Sequence, residues 1–396
     1  MKKVLVPKVR FKGFGEEWKE ERLEEIGQTY TGLSGKTKKD FGHGNSRYIT
    51  YLNIFNNPIA NLKGLDRIEE DCRQNSVKYG DIFVTTSSEI PEEVGMTSIW
   101  PFKDKENIYL NSFCFGIRLN NINNYYINFL AYNLRNNELR KDIVLLAQGI
   151  SRFNISNRRF MKLNILLPKY SEQQKIGKLL ENIDNLISLE EIKLNKLKQL
   201  KQTLLQKMFP EGNSKTPRIR FKGFEGEWKE EKLEYIAKVT NGKSNTSDNN
   251  KWGQYNLYIR SEEIYKSNKY IFDVEGVITV GDGNIGKIFH YVNGKFDLHQ
   301  RCYLIYEFQN IWPKYFYYYF SQNFYKRAIL MSYTATVNSI RMNTITDMDI
   351  MFPKELIEQQ KIGDFFCKID TLINLYQSKR KKLKKIKEAL LQKMFV

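Results

Sequence analysis

One stretch of this chain constrains everything around it. Ser171 to Phe209 reads SEQQKIGKLLENIDNLISLEEIKLNKLKQLKQTLLQKMF and returns at the C-terminal end, from Glu358 to Phe395, as EQQKIGDFFCKIDTLINLYQSKRKKLKKIKEALLQKMF. In the first copy Ile176, Leu180, Ile183, Ile187, Leu194, Leu197, Leu204 and Met208 step by three, four or seven, the spacing of a coiled-coil seam. In the second copy Ile362, Phe366, Ile369, Ile373, Tyr376, Leu383, Ile386, Leu390 and Met394 do the same. Neither copy contains Pro, and each has one Gly near its start, so nothing in the interior breaks a helix. Ser171 with Gln174 can form a capping box, and Pro168 discourages helix before it. The second copy lacks the Ser. At about 1.5 Å per residue each helix would run on the order of 55 to 60 Å, longer than a compact domain needs. One such helix alone suggests a homodimer zipper; two in one polypeptide can satisfy each other's seams, so an intramolecular pair is expected.

A second repeat precedes each helix. Residues 7 to 23, PKVRFKGFGEEWKEERL, reappear at 217 to 233 as PRIRFKGFEGEWKEEKL. Phe and Trp at these spacings mostly bury area, which makes the head a packing segment locking each domain to a neighbouring helix. A chain of 396 residues exceeds what one core organises. The division expected is an N-terminal domain over residues 1–170, a central spacer helix over 171–209, a linker over 210–216, a C-terminal domain over 217–356 and a C-terminal spacer helix over 357–396. The fold class is mixed α/β: two similar α/β domains joined to two long helices packed as an antiparallel coiled coil.

The stretches enclosed by these constant ends differ in sequence. The first has strand-like runs at SRYITYLNI (46–54), VKYGDIFVTTS (77–87) and YLNSFCFGIRL (109–119), a helix-like run over 125–149 and a returning strand MKLNILLP. The second repeats the order with strands at YNLYIRS, GVITVGD and RCYLIYEF, a helix at WPKYFYYYFSQNFYKRAIL and a strand at MDIMFP. Residues Pro210 to Lys215 form a short link.

The net charge of +18 points to a polyanionic partner, nucleic acid before an acidic membrane. No run of about eighteen apolar residues exists, so a soluble, unexported, cytoplasmic protein without membrane contact is expected. Cys72, Cys114, Cys302 and Cys367 lie far apart, with no C-x-x-C and three histidines, so they read as ordinary buried thiols, and no metal site is signalled.

Catalytic chemistry is sparsely signalled. Gly281 to Ile288, GDGNIGKI, fits G-x-G-x-x-G, and it fits a phosphate loop until Ile288 stands where Ser or Thr should hold magnesium. The following IFHYVNGKFDL alternates and contains Asn293-Gly294, reading as a β-hairpin with no helix dipole to offer a phosphate. Glu92 with Glu93, and Asp347 with Asp349, lack a neighbouring His or Lys for acid–base work. Basic and amide residues on turns remain, and they suit DNA readout: Lys36, Lys38, Lys39, Arg47, Gln148, Ser151, Arg152, Asn154, Arg158 and Arg159 in the first half; Lys243, Ser244, Asn245, Thr246, Asn284, Lys287, Arg301, Asn338, Arg341 and Asn343 in the second. Arg reads guanine edges, Asn and Gln read adenine, and Lys meets phosphate.

This layout resembles the specificity subunit of type I restriction-modification systems. The residues carrying the match are Pro168 with Glu172, Gln173, Gln174, Lys175 and Ile176, Pro353 with Glu358, Gln359, Gln360, Lys361 and Ile362, both LLQKMF endings, and both RFKGF heads. The resemblance implies a subunit with no catalysis and no cofactor of its own, in which each variable domain reads one half of a split double-stranded DNA target and the helices act as a ruler. It also implies two methyltransferase subunits, which carry S-adenosylmethionine and methylate adenine, and two restriction-translocase subunits, which use ATP with magnesium and can join them. The alternative left by the residues alone is a non-catalytic coiled-coil adaptor without sequence-specific DNA binding.

Overall fold

The computed structural model describes residues 5–103, 107–212, 214–334 and 338–396; the first four residues and Asn213 of the expected link lie outside them. Two 38-residue helices, Tyr170–Lys207 and Leu356–Lys393, carry the duplicated stretch. The chain divides into two compact units, Met1–Glu190 with Lys379–Val396, and Glu191–Ser378, so each long helix begins in one unit and ends in the other. Within the described residues no helix is long and apolar enough to cross a membrane.

In the first unit the start of one long helix packs with the end of the other. Ile176 and Leu180 share a core with Met394 and Phe395, Lys387 Nζ reaches Asp184 at 2.8 Å, and Lys379 Nζ reaches Glu190 at 2.8 Å. In the second unit Leu194, Met208 and Phe209 share a core with Ile362, Phe366, Ile369 and Ile373, Lys201 Nζ meets Asp370 at 2.5 Å, and Lys193 Nζ lies over the Tyr376 ring. In both units the partner number falls as the residue number rises, so the helices pair antiparallel. Ile187, Leu197, Leu204, Leu383 and Leu390 are only half-buried, because a two-helix seam covers each side chain from one direction. The apolar stepping skips from Ile187 to Leu194 and from Tyr376 to Leu383; Glu190 and Lys379 occupy those two gaps and pair with each other.

The duplicated heads meet the duplicated helix starts. Arg10 Nε and Nη2 donate to the two carboxylate oxygens of Glu172 at 2.6 and 2.8 Å, and its Nη1 donates to the Glu16 carbonyl. Arg220 does the same to Glu358 at 2.7 and 2.8 Å and to the Gly226 carbonyl. Gln173 accepts from the amide of Tyr126 and donates to the Pro168 carbonyl; Gln359 accepts from Trp312 and donates to Pro353. Tyr126 and Trp312 are the N-cap residues of helices Ile127–Asn133 and Pro313–Leu330, so this glutamine fixes where a domain helix starts. Trp18 packs edge-on against Phe129 and Phe395, and Trp228 against Tyr315 and Phe209, which places the last residue of each LLQKMF motif against a head tryptophan. The head segment is therefore structural, as its aromatic spacing suggests.

In the first unit a four-stranded antiparallel sheet runs in the order Gly27–Thr31, Cys114–Leu119, Ile82–Thr85, Thr97–Ile99, beside a three-stranded sheet of Leu65–Ile68, Phe41–Ile49 and Ile108–Leu110. In the second unit one six-stranded sheet runs Lys238–Asn241, Cys302–Tyr306, Phe272–Val280, Phe289–Leu298, Tyr255–Tyr258, Ile264–Ser267. Each unit also pairs the strand after its head with the strand before its long helix, Lys19–Arg22 with Asn164–Leu167 and Lys229–Lys232 with Asp349–Phe352, in matching register. The arginine, glutamate, glutamine and tryptophan contacts of the shell thus recur in both units, while the sheets inside it are arranged differently.

Several local expectations are corrected. The strand expected over 46–54 ends at Ile49, because the Thr50 side chain accepts from the Asn53 amide and caps a helix, Tyr51–Asn56. The run 125–149 is two helices, Ile127–Asn133 and Asn137–Leu145, since the Asn136 side chain accepts from the Leu139 amide and starts the second. The run 109–119 is interrupted by a turn in which the Cys114 amide donates to Asn111. Asn293-Gly294 makes no hairpin: Phe289–Leu298 is one strand whose pairing with Phe272–Val280 continues through Gly294 at φ 100°. Ser171 cannot cap, because the first long helix already includes Tyr170. Of the cysteines only Cys114 and Cys302 are buried; Cys72 is exposed and Cys367 intermediate.

Candidate nucleic-acid interface

In the second unit the Phe272–Val280 strand runs into the glycine-rich turn, which continues as turn and then strand. The Gly281 amide donates to the Arg301 carbonyl at 2.8 Å, the Ile340 amide to the Gly281 carbonyl at 2.9 Å, and the Gly283 amide to the Asn338 carbonyl at 2.9 Å. Three segments distant in sequence are thereby sewn together at one strand end. Their side chains surround a polar cavity of 660 Å³ lined by Asn245, Thr246, Arg260, Asp282, Gln300 and Arg301 among others. Asp282 is nearly buried; Arg260 Nη1 donates to both of its oxygens at 3.1 and 3.2 Å, and Arg301 Nη1 stands 3.5 Å away. Gln300 Nε2 donates to the Asn245 side-chain oxygen at 2.6 Å. The Arg301 amide donates to His299 Nδ1, and burial pushes the His299 imidazole below its ordinary pKa, with Arg260 and Arg301 adding repulsion.

Asn245, Thr246 and Arg301 are thus brought together, with Asn338 joined through its backbone. Lys243 is exposed beside them. Ser244 is not a surface contact: it is buried, and its hydroxyl donates to the buried carboxylate of Asp297 at 2.6 Å. Asn284 is exposed on the glycine-rich turn, and Lys287 turns to the domain helix, its Nζ 5.5 Å from the Tyr325 ring centroid. Arg341 and Asn343 are exposed at the start of the short helix Met342–Thr346. Arg260, Gln300, Asp282 and His299 were missed from the sequence. Arg260 and Asp282 become partners only through the fold, and Gln300 directly precedes the predicted Arg301, the one local signal available.

The first unit holds a counterpart. Its Ile82–Thr85 strand runs into Thr86, whose carbonyl accepts from the Ile155 amide at 2.9 Å, the same contact that Gly281 makes with Ile340. Ser87–Ser88 then pairs with Phe153–Asn154. The cavity here, 460 Å³, is mostly apolar, lined by Tyr51, Leu52, Phe55, Ile90, Phe113 and Arg152. Arg152 Nη2 donates to the Ser87 hydroxyl at 3.0 Å and its guanidinium lies over Phe113. Gln148 and Asn154 exchange two backbone hydrogen bonds, the Gln148 amide oxygen can accept from Arg159, and Ser151 and Arg158 are exposed nearby in the chain. The other predicted residues lie toward the three-stranded sheet. Lys36 is largely covered and pairs with Asp71 at 3.0 Å, where Arg73 also binds and holds the carboxyl well below the usual range. Lys38 and Lys39 are exposed on a short 3₁₀ turn, and Arg47 is half-exposed on Phe41–Ile49.

The profile of the type I restriction modification DNA specificity domain matches this chain twice, at residues 15–199 and 225–385. The chain belongs to that family. Each match spans one variable domain and most of one long helix. Among curated relatives, the type I restriction enzyme EcoDI specificity subunit of Escherichia coli is 31% identical over 166 residues, covering 41% of this chain and 35% of the relative. A Methanocaldococcus jannaschii sequence assigned to the MjaX type I restriction enzyme specificity subunit is 26% identical over 205 residues, covering 50% of this chain and 46% of the relative. The matches thus span less than half the length of these relatives. Among solved structures, the S subunit of a type I restriction-modification system from M. genitalium aligns over 99% of both chains with a TM-score of 0.68 at 14% identity. A chain from a type I restriction-modification structure described for complex assembly and conformational transition aligns at 0.52 and 17% identity, covering 96% of this chain and 97% of that one. At such identities the likeness is one of fold. Each match takes in one head tryptophan, Trp18 or Trp228, one buried helix glutamate, Glu172 or Glu358, and the strand-end cavity of that unit, in the part where the two halves differ.

Proposed function

We propose that this chain is the DNA-recognition subunit of a type I restriction-modification complex, with no catalysis of its own. Each variable domain reads one half of a bipartite duplex target, and the paired helices set the distance between the halves. Two methyltransferase subunits carrying S-adenosylmethionine assemble on it, and two restriction-translocase subunits using ATP and magnesium join them. The observation that carries this reading is the double family match over two domains whose outer shells are the same and whose strand-end cavities differ. Two unlike reading surfaces in one duplicated frame are what a split, asymmetric target requires, and the charge of +18 supplies the attraction to phosphate. The adaptor alternative is less well supported, since it gives the divergence of the two cavities no purpose.

The test is to remove four residues, just over one turn, from each long helix at facing positions, and to map methylated adenines produced by the assembled complex. The half-site letters should persist while the spacing between them changes. Altered letters with unchanged spacing would defeat the ruler.

A further inference from the structure

The two strand-end cavities occupy the same place in the fold, next to the matched contacts Ile155 to Thr86 and Ile340 to Gly281, yet they differ in chemistry. Ser87 follows Thr86 where Asp282 follows Gly281. The first cavity is mostly apolar, with Tyr51, Phe55 and Phe113 beside a single arginine and the carboxylates of Glu89 and Glu93; the second is polar and has two arginines at one buried carboxylate. In a molecule whose head arginine and helix glutamate pair alike in both units, a difference in chemistry at this matched strand end marks a place where the two halves do different jobs.

Resting on the function proposed above, we infer that the cavity beside Asp282 is the base-reading pocket of the second domain, and that Arg260 and Arg301, aligned by Asp282, read guanine. Arg260 Nη1 is hydrogen-bonded to Asp282 and Arg301 Nη1 stands 3.5 Å from the same carboxylate, while the two side chains keep 46% and 62% of their surface exposed, so each guanidinium remains accessible from solvent. A guanidinium fork matches the O6 and N7 acceptors on the major-groove edge of guanine. A carboxylate behind it removes rotamer freedom before DNA arrives. Phosphate contact is the competing use of an arginine, and two features disfavour it. The shared carboxylate offsets one of the two positive charges, and the groups sit in a concavity beside the Gln300–Asn245 amide pair, where donor and acceptor positions are fixed. Backbone contact is better served by freely exposed lysines such as Lys243.

The experiment selects bound sequences from a randomised duplex library with the complete complex of this chain and its methyltransferase subunits. The wild-type complex should show guanine in the half-site assigned to the second domain. The double variant Arg260→Ala with Arg301→Ala should lose preference at that position by roughly 5- to 150-fold while the other half-site keeps its letters. Asp282→Asn should relax the same position, as expected of a positioning residue, without moving affinity for unrelated sequences. Should the alanine variant fail to assemble, Arg260→Lys with Arg301→Lys retains the charge and removes the fork, and the same relaxation is expected. Unchanged guanine preference, or an equal loss on every sequence as for a phosphate contact, overturns the pocket assignment while leaving bipartite recognition standing. A wild-type complex with no preferred sequence at any salt concentration overturns both.

Discussion

Glu172 and Glu358 show how a single residue ties sequence repeat to structure. Each carboxylate is buried in the first turn of a long helix and bound by two nitrogens of a head arginine. Removing one partner of a buried pair leaves the other uncompensated. Glu172→Gln is expected to destabilise the first unit by about 3 kcal/mol, the low end of the range for such losses because Arg10 keeps the Glu16 carbonyl and 11% exposure. The midpoint of denaturant unfolding measures it, and Lys141→Ala, which removes only an exposed pair with Glu138, should change it by less than about 0.5 kcal/mol. A second prediction concerns His290, whose ring packs on Tyr258 and bonds the Ser261 carbonyl, and whose pKa burial lowers from 6.5. The unfolded chain then takes up this proton at a higher pH than the folded one. The contribution of His290 is complete above pH 6.5 and declines as pH falls through that value toward the lowered one. His290→Gln should flatten the stability profile on the acid side, measured by unfolding at a series of pH values.

At the level of elements, what joins each long helix to its domain is close backbone approach. A Cβ at Gly363 would lie 2.9 Å from the Tyr315 amide nitrogen, and one at Gly177 would lie 2.8 Å from that of Phe129. Alanine in a helix interior gains about 1 kcal/mol over glycine. Overpacking against backbone costs about 1 to 3 kcal/mol. The steric cost should win, so Gly363→Ala is expected to lower the stability of the second unit by about 1 kcal/mol despite its better propensity. Calorimetry that showed stabilisation instead would mean the domain helix is free to move away. Nearby, each unit repeats a three-way contact: Asp184 takes the Tyr132 hydroxyl and Lys387, and Asp370 takes the Tyr318 hydroxyl and Lys201. These bind a domain helix to both long helices at once.

For the molecule as a whole, the positive charge matters only where it is free. Lys36 is committed to Asp71, whereas Lys38 and Lys39 are exposed. If DNA passes over this turn, Lys38→Ala with Lys39→Ala should reduce the slope of log binding constant against log salt by up to about 0.9 for each phosphate no longer neutralised, and Lys36→Ala should leave it unchanged. Titrations of the assembled complex across a salt series check both. An equal effect of all three would mean that the Asp71 pair opens on binding.

The duplication, the two long helices and the head-and-tail organisation were legible in the chain alone, because repeats and apolar periodicity are local properties that survive without knowledge of the fold. So was the packing role of Trp18 and Trp228. Tertiary structure decided the rest. It paired Glu190 with Lys379 across the two gaps of the apolar stepping, gave Thr50 and Asn136 their capping roles, kept Gly294 inside a strand, and split the larger sheet structure of one half into a four-stranded and a three-stranded sheet where the other has one of six strands. It also brought Arg260, Asp282 and Arg301 to a single strand end, buried Ser244 and committed Lys36 to Asp71. Polar contacts between distant segments have no period and no composition, so only the path of the backbone through the sheet determines which charged side chains meet.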